Sequence, residues 1–268
     1  MDVQKNIEYA NVNGHSLCLD LYLPKDAARP MPVIVYFHGG GFRWGSKANP
    51  SRMMPLLKLG YAVAGVDYRL SKEASFPAQI YDCKAAIRWV RAHAADYGID
   101  PNKIGAFGES AGGNLVSLLG TTMRHPELEG NEGNPGVSSG VQVACDYFGP
   151  VDLLDSNPAF TKPQSWVLSQ FLSVPLPLVN YPDKVRLGSP FSYVDNQACP
   201  FFIAQGDADT AVPMEQSVRF DAALKKAGVA SVLCIVPGGR HNLATPAASA
   251  QADAAMEAFL QQYLPTPK

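Results

Sequence analysis

A serine set among glycines is the residue of this chain best suited to covalent chemistry. It lies in Gly108-Glu109-Ser110-Ala111-Gly112, after the apolar run 103–107 and before the helix-like run 113–119. A G-x-S-x-G pattern between a strand and a helix predicts a sharp turn that exposes the serine hydroxyl. Glycine is needed at both flanks because a Cβ there would collide with the neighbouring strand or helix. The N–H of Ala111 then lies at a helix N-terminus, where it can stabilise an oxyanion.

A serine hydroxyl is a poor nucleophile near neutral pH, so it needs a base, and the base needs an orienting carboxylate. Among the five histidines, His241 fits this role best, because it follows the last predicted strand in a loop. The other four fit poorly. His15 lies in a predicted hairpin, His93 lies inside a predicted helix, and His125 follows a helix. His38 stands directly before a glycine run.

Two aspartates are candidates for the carboxylate. Both follow the penultimate predicted strand, in Gly206-Asp207-Ala208-Asp209. We favour Asp209, because it stands just before the helix that we expect to begin at Pro213. Asp207 is then free to act as a turn residue that accepts backbone N–H groups.

A run of glycines provides a second group of backbone donors. His38-Gly39-Gly40-Gly41-Phe42 ends the first buried strand, where the rest of an oxyanion hole is expected. Glycine lets two N–H groups point at one oxygen without side-chain obstruction. We therefore predict an oxyanion hole made by Gly40, Gly41 and Ala111. A phosphate loop is disfavoured, because no Lys-Ser/Thr follows.

The elements that carry these residues alternate between strand and helix. Strands are predicted at 7–13, 15–23, 32–37, 61–68, 103–107, 141–148, 201–205 and 232–236, and helices at 77–97, 113–119, about 213–227 and 248–263. This order predicts an α/β protein with a mostly parallel central sheet of about eight strands and helices on both faces. The chain order Ser110, Asp209, His241 is the one expected for the α/β-hydrolase fold.

One stretch breaks this alternation. Residues 152–196 combine six prolines with many apolar side chains, and they are too long for a plain connection. We expect a small lid-like insertion that forms a pocket wall, with an irregular packed excursion as the alternative. Aromatic residues more often pack in the core than line a pocket. The candidate wall residues are nevertheless the aromatic Trp44, Tyr68, Trp166 and Phe171.

Composition narrows the remaining possibilities. The 268 residues, 47% hydrophobic and 17% charged, suit a single domain over 1–268, and a net charge of −2 favours neither nucleic acid nor an anionic membrane. Residues 1–6 lack a signal-peptide core and no apolar run is long enough for a membrane span, so we expect a cytoplasmic protein, although a mature secreted chain would look the same.

Cysteine usage predicts neither a metal site nor a disulfide framework. The five cysteines are widely spaced and form no C-x-x-C. We expect buried free thiols, with a Cys145–Cys199 pair left open. The chemistry around Ser110 needs no metal and no cofactor. No sequence signal indicates a homo-oligomer interface.

These motifs together resemble a known family. His38-Gly39-Gly40-Gly41-Phe42 with G-E-S-A-G-G-N-L at 108–115 resembles the hormone-sensitive-lipase-like carboxylesterases of the α/β-hydrolase superfamily. The continuation at 42–47 is closer to compact bacterial feruloyl-esterase-like (BD-FAE-like) esterases. Residues 1–37 read as strands rather than as a helical cap, which leaves 152–196 to cover the site. Glu109 stands where Asp is common, and it keeps the charge.

The resemblance implies a serine carboxylesterase that hydrolyses short-chain or aromatic esters through an acyl-enzyme, with a small-molecule ester as its substrate. Two alternatives stay open. One is an amide or peptide hydrolase of the aminopeptidase or formamidase type on the same fold. The other is a non-catalytic binding module, but such modules lose a residue of the triad, and all three roles can be filled here.

Overall fold

One mixed sheet organises the chain. The computed structural model describes residues 1–48, 50–155, 158–243 and 246–267. Its strands, in chain order, are β1 Asp2–Val12, β2 His15–Leu23, β3 Met31–Phe37, β4 Ala62–Val66, β5 Ile99–Glu109, β6 Val143–Tyr147, β7 Phe201–Gly206 and β8 Ser231–Val236. They lie in the order β1-β2-β4-β3-β5-β6-β7-β8. β1 and β2 pair antiparallel, β2 pairs antiparallel with β4, and the strands from β4 to β8 run parallel.

Helices cover both faces of this sheet. They are α1 Ala78–Ala92, α2 Ala94–Tyr97, α3 Ala111–Thr121, α4 Pro158–Leu172, α5 Pro182–Leu187, α6 Met214–Lys226 and α7 Pro246–Tyr263. One buried cluster packs α1, α3 and α6 on one face, through residues such as Ile80, Leu115 and Phe220. A second cluster packs the 3-10 helix Met54–Leu59 and α7 on the other face. The predicted eight-stranded α/β-hydrolase sheet is therefore confirmed.

Strand register brings the candidate residues to one edge. Phe37 of β3 lies opposite Gly108 of β5, and Glu109 of β5 lies opposite Tyr147 of β6. At the far side, Gly206 of β7 lies opposite Val236 of β8. Because these strands are parallel, the loops that follow them all leave from the same edge. Their ends are the usual place for a site in an open parallel sheet.

The structure adjusts several predicted boundaries. β1 begins at Asp2 rather than at residue 7, and its pairing with β2 shifts register at two irregularities, between Gln4 and Ile7 and between Glu8 and Ala10. Pro213 caps α6 from outside, with ψ of 137°, rather than occupying its first turn. His93 ends α1, where its Nδ1 pairs with the carbonyl of Trp89 at 2.9 Å. All five cysteines are free thiols, so Cys145 and Cys199 do not pair.

The predicted insertion is built largely from helix. It holds α4, α5 and two 3-10 turns, Leu178–Asn180 and Pro190–Tyr193, while its residues 156–157 lie outside the described residues. Its apolar side chains join the main core, and the fully or nearly fully buried ones are Leu168, Phe171, Leu172 and Val185. Within the described part of the chain, no helix is long and apolar enough to cross a membrane.

Gly112→Ala tests how tightly the strand edge constrains the chain. A Cβ at Gly112 would overlap the backbone oxygen of Phe37, so the substitution forces α3 away from β3. We expect the free energy of unfolding to fall by about 3 kcal/mol or more, measured by chemical denaturation.

Gly140→Ala is the matched control, because a Cβ there meets only Ser138 Oγ at 3.4 Å and Met123 Sδ at 3.5 Å. This variant should stay within about 1 kcal/mol of the wild type. Equal effects of the two substitutions would contradict the steric argument.

Candidate active site

Ser110 occupies a sharp turn between β5 and α3. Its φ of 53° and ψ of −115° are strained for a residue with a side chain. Glycines permit the turn, because a Cβ at Gly108 would overlap the backbone of Gly112. The N–H of Ser110 donates to the carbonyl of Tyr147 at 2.9 Å. The turn is thus fixed by backbone contacts on both sides, and it presents the hydroxyl above the edge of the sheet.

The structure brings Ser110, His241 and Asp209 together. The Ser110 Oγ lies 3.0 Å from His241 Nε2, and His241 Nδ1 lies 2.8 Å from Asp209 Oδ2. His241 stands in a 3-10 turn, His241–Leu243, directly after the loop that follows β8. When a serine hydroxyl, an imidazole and a carboxylate are hydrogen-bonded in this order, the imidazole can take the proton of the hydroxyl.

The Asp209 carboxylate is held in its ionised form. Its side chain is inaccessible to solvent, and this burial opposes ionisation. Hydrogen bonds from His241 and from the N–H groups of Val212 and Ala211 outweigh the burial, so the pKa of Asp209 lies below its ordinary value. Asp207, by contrast, accepts the N–H of Gly238 from the loop that leads to His241.

Three neighbours that the sequence analysis missed hold this hydrogen-bonded chain in place. Gln205 Nε2 donates to Asp209 Oδ2 at 3.0 Å, and the Gln205 amide oxygen accepts the hydroxyl of Ser217 at 3.0 Å. Phe148 places its ring at 5.0 Å and 66° from the imidazole of His241, an edge-to-face contact. No motif marks these residues, because they act through packing and long-range contacts.

The glycine loop after β3 lies against the Ser110 turn. A Cβ at Gly39 would stand 3.4 Å from the Cβ of Ser110, and Gly40 and Gly41 have φ of 111° and 59°. Among the described residues, the N–H groups of Gly40, Gly41 and Ala111 donate to no protein acceptor. Unused donors beside a serine hydroxyl suit an oxygen that becomes negative.

His38 stabilises this loop rather than serving as a base. The ring is buried, it stacks on Tyr68 at 4.3 Å, and its Nδ1 lies 2.8 Å from the carbonyl of Gly39. Burial lowers the pKa of His38, which keeps the imidazole neutral. The Tyr68 hydroxyl donates to the carbonyl of His38 at 2.8 Å. Tyr68, expected as a pocket wall, therefore belongs to the core beneath the loop.

Phe171, also predicted as a pocket wall, lies in the core instead. Its ring is fully buried and stacks on Phe42 with 3.7 Å between ring centroids, and it packs against Phe76 at 5.0 Å. It presents no surface to a substrate. Because Phe42 follows the glycine loop directly and has φ of 59°, Phe171 ties α4 to that loop. The inserted helix thus packs against the oxyanion candidates instead of covering them loosely.

The other two aromatic candidates lie at the surface. Trp44 is 65% exposed and Trp166 is 54% exposed. Trp44 follows the glycine loop, and the N–H of Trp44 donates to the carbonyl of Gly40 at 3.1 Å. The residue next to Trp166, Val167, faces Gly41, where an added Cβ would meet its methyl group at 3.3 Å. Both indoles therefore stand beside the loop and are accessible to a ligand.

A charged network joins the Ser110 turn to the opposite face of the sheet. Arg52 Nε donates to Glu109 Oε1 at 2.8 Å, and Arg52 Nη1 donates to Asp253 Oδ1 of α7 at 2.9 Å. The Tyr147 hydroxyl donates to the same Asp253 oxygen at 3.0 Å. Glu109 thus links the serine turn to the helix that follows the His241 loop. No group of three or more metal-ligating side chains occurs in the described parts of the chain.

The chain is similar to known esterases along most of its length. The BD-FAE family model matches residues 19–224. Esterase LipQ of Mycobacterium tuberculosis is 34% identical, in an alignment that covers 85% of this chain and 54% of LipQ. The probable carboxylic ester hydrolase LipM of the same organism is 30% identical, in an alignment that covers 90% of this chain and 56% of LipM. The chain thus spans about half the length of these curated relatives.

Solved structures match the chain from end to end. A truncated carbohydrate esterase from gut microbiota has a TM-score of 0.81 and 35% identity, and it covers 96% of both chains. Esterase 2 of Thermogutta terrifontis in its sarin-phosphonylated form has a TM-score of 0.82 and 28% identity over 100% of this chain and 96% of its own.

Phe171→Ala tests the contact between α4 and the glycine loop. Removing the ring leaves a cavity between Phe42 and Phe76, so we expect the free energy of unfolding to fall by about 3–5 kcal/mol. Thermal and denaturant unfolding measure this. Trp166→Ala, on the exposed side of the same helix, should cost less than about 1 kcal/mol. A small effect at Phe171 would show that α4 packs loosely.

Asp209→Asn tests the ionised state of the buried carboxylate. Because the folded-state pKa of Asp209 lies below its unfolded value, its ionised form adds stability above about pH 4 and loses this contribution as pH falls through the folded pKa. Wild type should therefore exceed the variant in unfolding free energy at pH 7, and the difference should shrink below about pH 4. Denaturant titrations across this range measure it, and a difference independent of pH would contradict the assignment.

Proposed function

The chain belongs to the BD-FAE family of α/β-hydrolases, and from this premise we propose that it is a serine carboxylesterase acting through an acyl-enzyme. One observation carries the proposal: the Ser110 Oγ, the His241 ring and the Asp209 carboxylate form a continuous hydrogen-bonded chain beside unused backbone donors. Relatives named as esterases along most of this chain support it.

The proposed reaction has two halves, acylation of Ser110 and hydrolysis of the acyl-enzyme, and both use the same groups. Ser110 Oγ attacks the ester carbonyl while His241 Nε2 takes its proton, and the ring then gives that proton to the departing alcohol oxygen. Water attacks the acyl-enzyme in the same way and releases the acid and Ser110. Asp209 holds the Nδ1–H tautomer of His241 and stabilises the imidazolium that forms transiently.

The tetrahedral oxyanion would accept hydrogen bonds from the N–H groups of Gly40, Gly41 and Ala111. These donors are held before reaction, since Phe42, Tyr68 and the serine turn fix the loop. Preorganised donors cost no rearrangement when charge develops, and one such donor typically contributes roughly 3 kcal/mol to the transition state.

We propose short-chain or aromatic carboxylic esters as substrates and a single domain over residues 1–268. The segment 152–196 supplies one wall of the site through the outer side of α4, with Trp44 and Trp166 at its rim. Two relatives support small esters by name, the ethyl acetate hydrolase of Pseudomonas putida and the arylesterase of Saccharolobus solfataricus.

Ser110→Ala is the direct test. We expect wild type to hydrolyse p-nitrophenyl acetate and the variant to lose about 10⁴-fold or more in kcat, because no other group supplies the covalent step. Ser169→Ala is a control serine of α4, since its hydroxyl only donates to the carbonyl of Val174. Full activity of Ser110→Ala would overturn the assignment.

Two further measurements sharpen this test. A fluorophosphonate should add one group per chain to the peptide that contains Ser110, as detected by mass spectrometry, and it should not label the alanine variant. An amino-acid p-nitroanilide distinguishes the peptidase alternative. A kcat/KM clearly higher on the anilide than on p-nitrophenyl or methyl ferulate esters would replace esterase by amide hydrolase.

A further inference from the structure

Two exposed indoles and an arginine form a cluster beside the glycine loop. The chain has three tryptophans, and two of them, Trp44 and Trp166, are more than half exposed. The guanidinium carbon of Arg43 lies 4.1 Å from the centre of the Trp166 ring and 5.5 Å from that of Trp44. Exposed aromatic rings that are grouped rather than scattered are typical of an interaction site, so this cluster suggests a binding function.

Arg43 differs from most arginines of the chain because its guanidinium N–H groups have no acceptor among the residues that the structure describes. Arg52, Arg69 and Arg88 are each paired with carboxylates. No acceptor among the described residues receives a hydrogen bond from the guanidinium of Arg43. The guanidinium carbon lies over the Trp166 ring, and the donors of a guanidinium lie in its own plane, so contact through its flat side keeps those donors available to a ligand. Such donors match a carboxylate through two parallel hydrogen bonds.

The backbone of Arg43 belongs to the glycine loop that lies beside the Ser110 turn. The backbone N–H of Arg43 donates to the carbonyl of Gly40 at 3.1 Å. Gly39 of the same loop packs so close to Ser110 that an added Cβ would lie 3.4 Å from the Ser110 Cβ. On the α4 side, Val167 faces Gly41, and the ring of its neighbour Trp166 contacts the Arg43 guanidinium. The cation is therefore anchored on the loop that presents the unused oxyanion donors and on the helix that packs against it.

We infer that Arg43, held on the faces of Trp166 and Trp44, binds a carboxylate of the substrate, so that the enzyme prefers esters bearing a free carboxylate on their acid or alcohol part. This inference rests on the proposed carboxylesterase function and adds a charge preference to it. The indoles orient the guanidinium and offer apolar surface to the chain or ring that joins the carboxylate to the ester.

Two matched substrate pairs test it. One pair carries the charge on the acyl side: the mono-4-nitrophenyl ester of adipic acid, and the same ester with its free carboxylate replaced by a primary amide. The other carries it on the alcohol side: 4-acetoxybenzoate and 4-acetoxybenzamide. For one of the two pairs, we expect the wild-type kcat/KM on the anionic ester to be at least 10-fold higher than on its neutral counterpart. The pair that shows this preference identifies the side of the ester that Arg43 contacts.

Arg43→Gln should lower this ratio by about 10- to 100-fold, and Trp166→Ala should lower it by less, because the arginine stays but loses its orientation. Arg124→Gln is the matched control. It removes the same charge from an exposed arginine that follows the far end of α3, so it should leave the ratio unchanged. Added salt should reduce the wild-type preference through screening.

A wild-type ratio near one for both pairs, or a ratio that Arg43→Gln does not change, would overturn the inference. Those outcomes leave the proposed function intact, because the neutral member of each pair reports ester hydrolysis by itself. A wild type that turns over neither member of either pair would contradict the proposed function instead.

Discussion

At Ser110 the backbone turns from β5 into α3 with φ of 53°, in a space too small for side chains at Gly108 and Gly112. This close approach of backbone to backbone is the constraint on which the other features depend. It sets α3 directly against β3 through Phe37, and so it brings the glycine loop beside the serine. The free N–H of Ala111 and the exposed hydroxyl follow from the same turn.

The rest of the site is held by contacts from both faces of the sheet. On one face, Phe171 of α4 stacks on Phe42 and supports the glycine loop. On the other, Arg52 joins Glu109 of the serine turn to Asp253 of α7, the helix that follows the His241 loop. The proposed catalytic groups thus stand on loops, but each loop is anchored in packed helix and sheet, which suits preorganised electrostatic catalysis.

Much of the fold could be predicted because its signals are local. Parallel strands buried on both faces read as continuous apolar runs, as in β3 and β7, and the alternation with helices predicts one parallel sheet. The serine and glycine motifs are recognisable in the sequence for the same reason, since each requires glycine at fixed offsets. The prediction of Tyr68 and Phe171 as pocket walls is wrong, because an aromatic residue near a motif looks the same in sequence whether it faces substrate or core.

The sequence by itself determined the order of the elements, the turn at Ser110 and the two regions that supply donors and base, because short-range sterics and strand periodicity encode them. Only the tertiary structure decided that Asp209 rather than Asp207 meets His241, that Phe148 and Gln205 complete this arrangement, and that Arg43 stacks on Trp166. These contacts join residues far apart in the chain, and their geometry depends on how loops are packed by neighbouring helices. No local pattern carries that information.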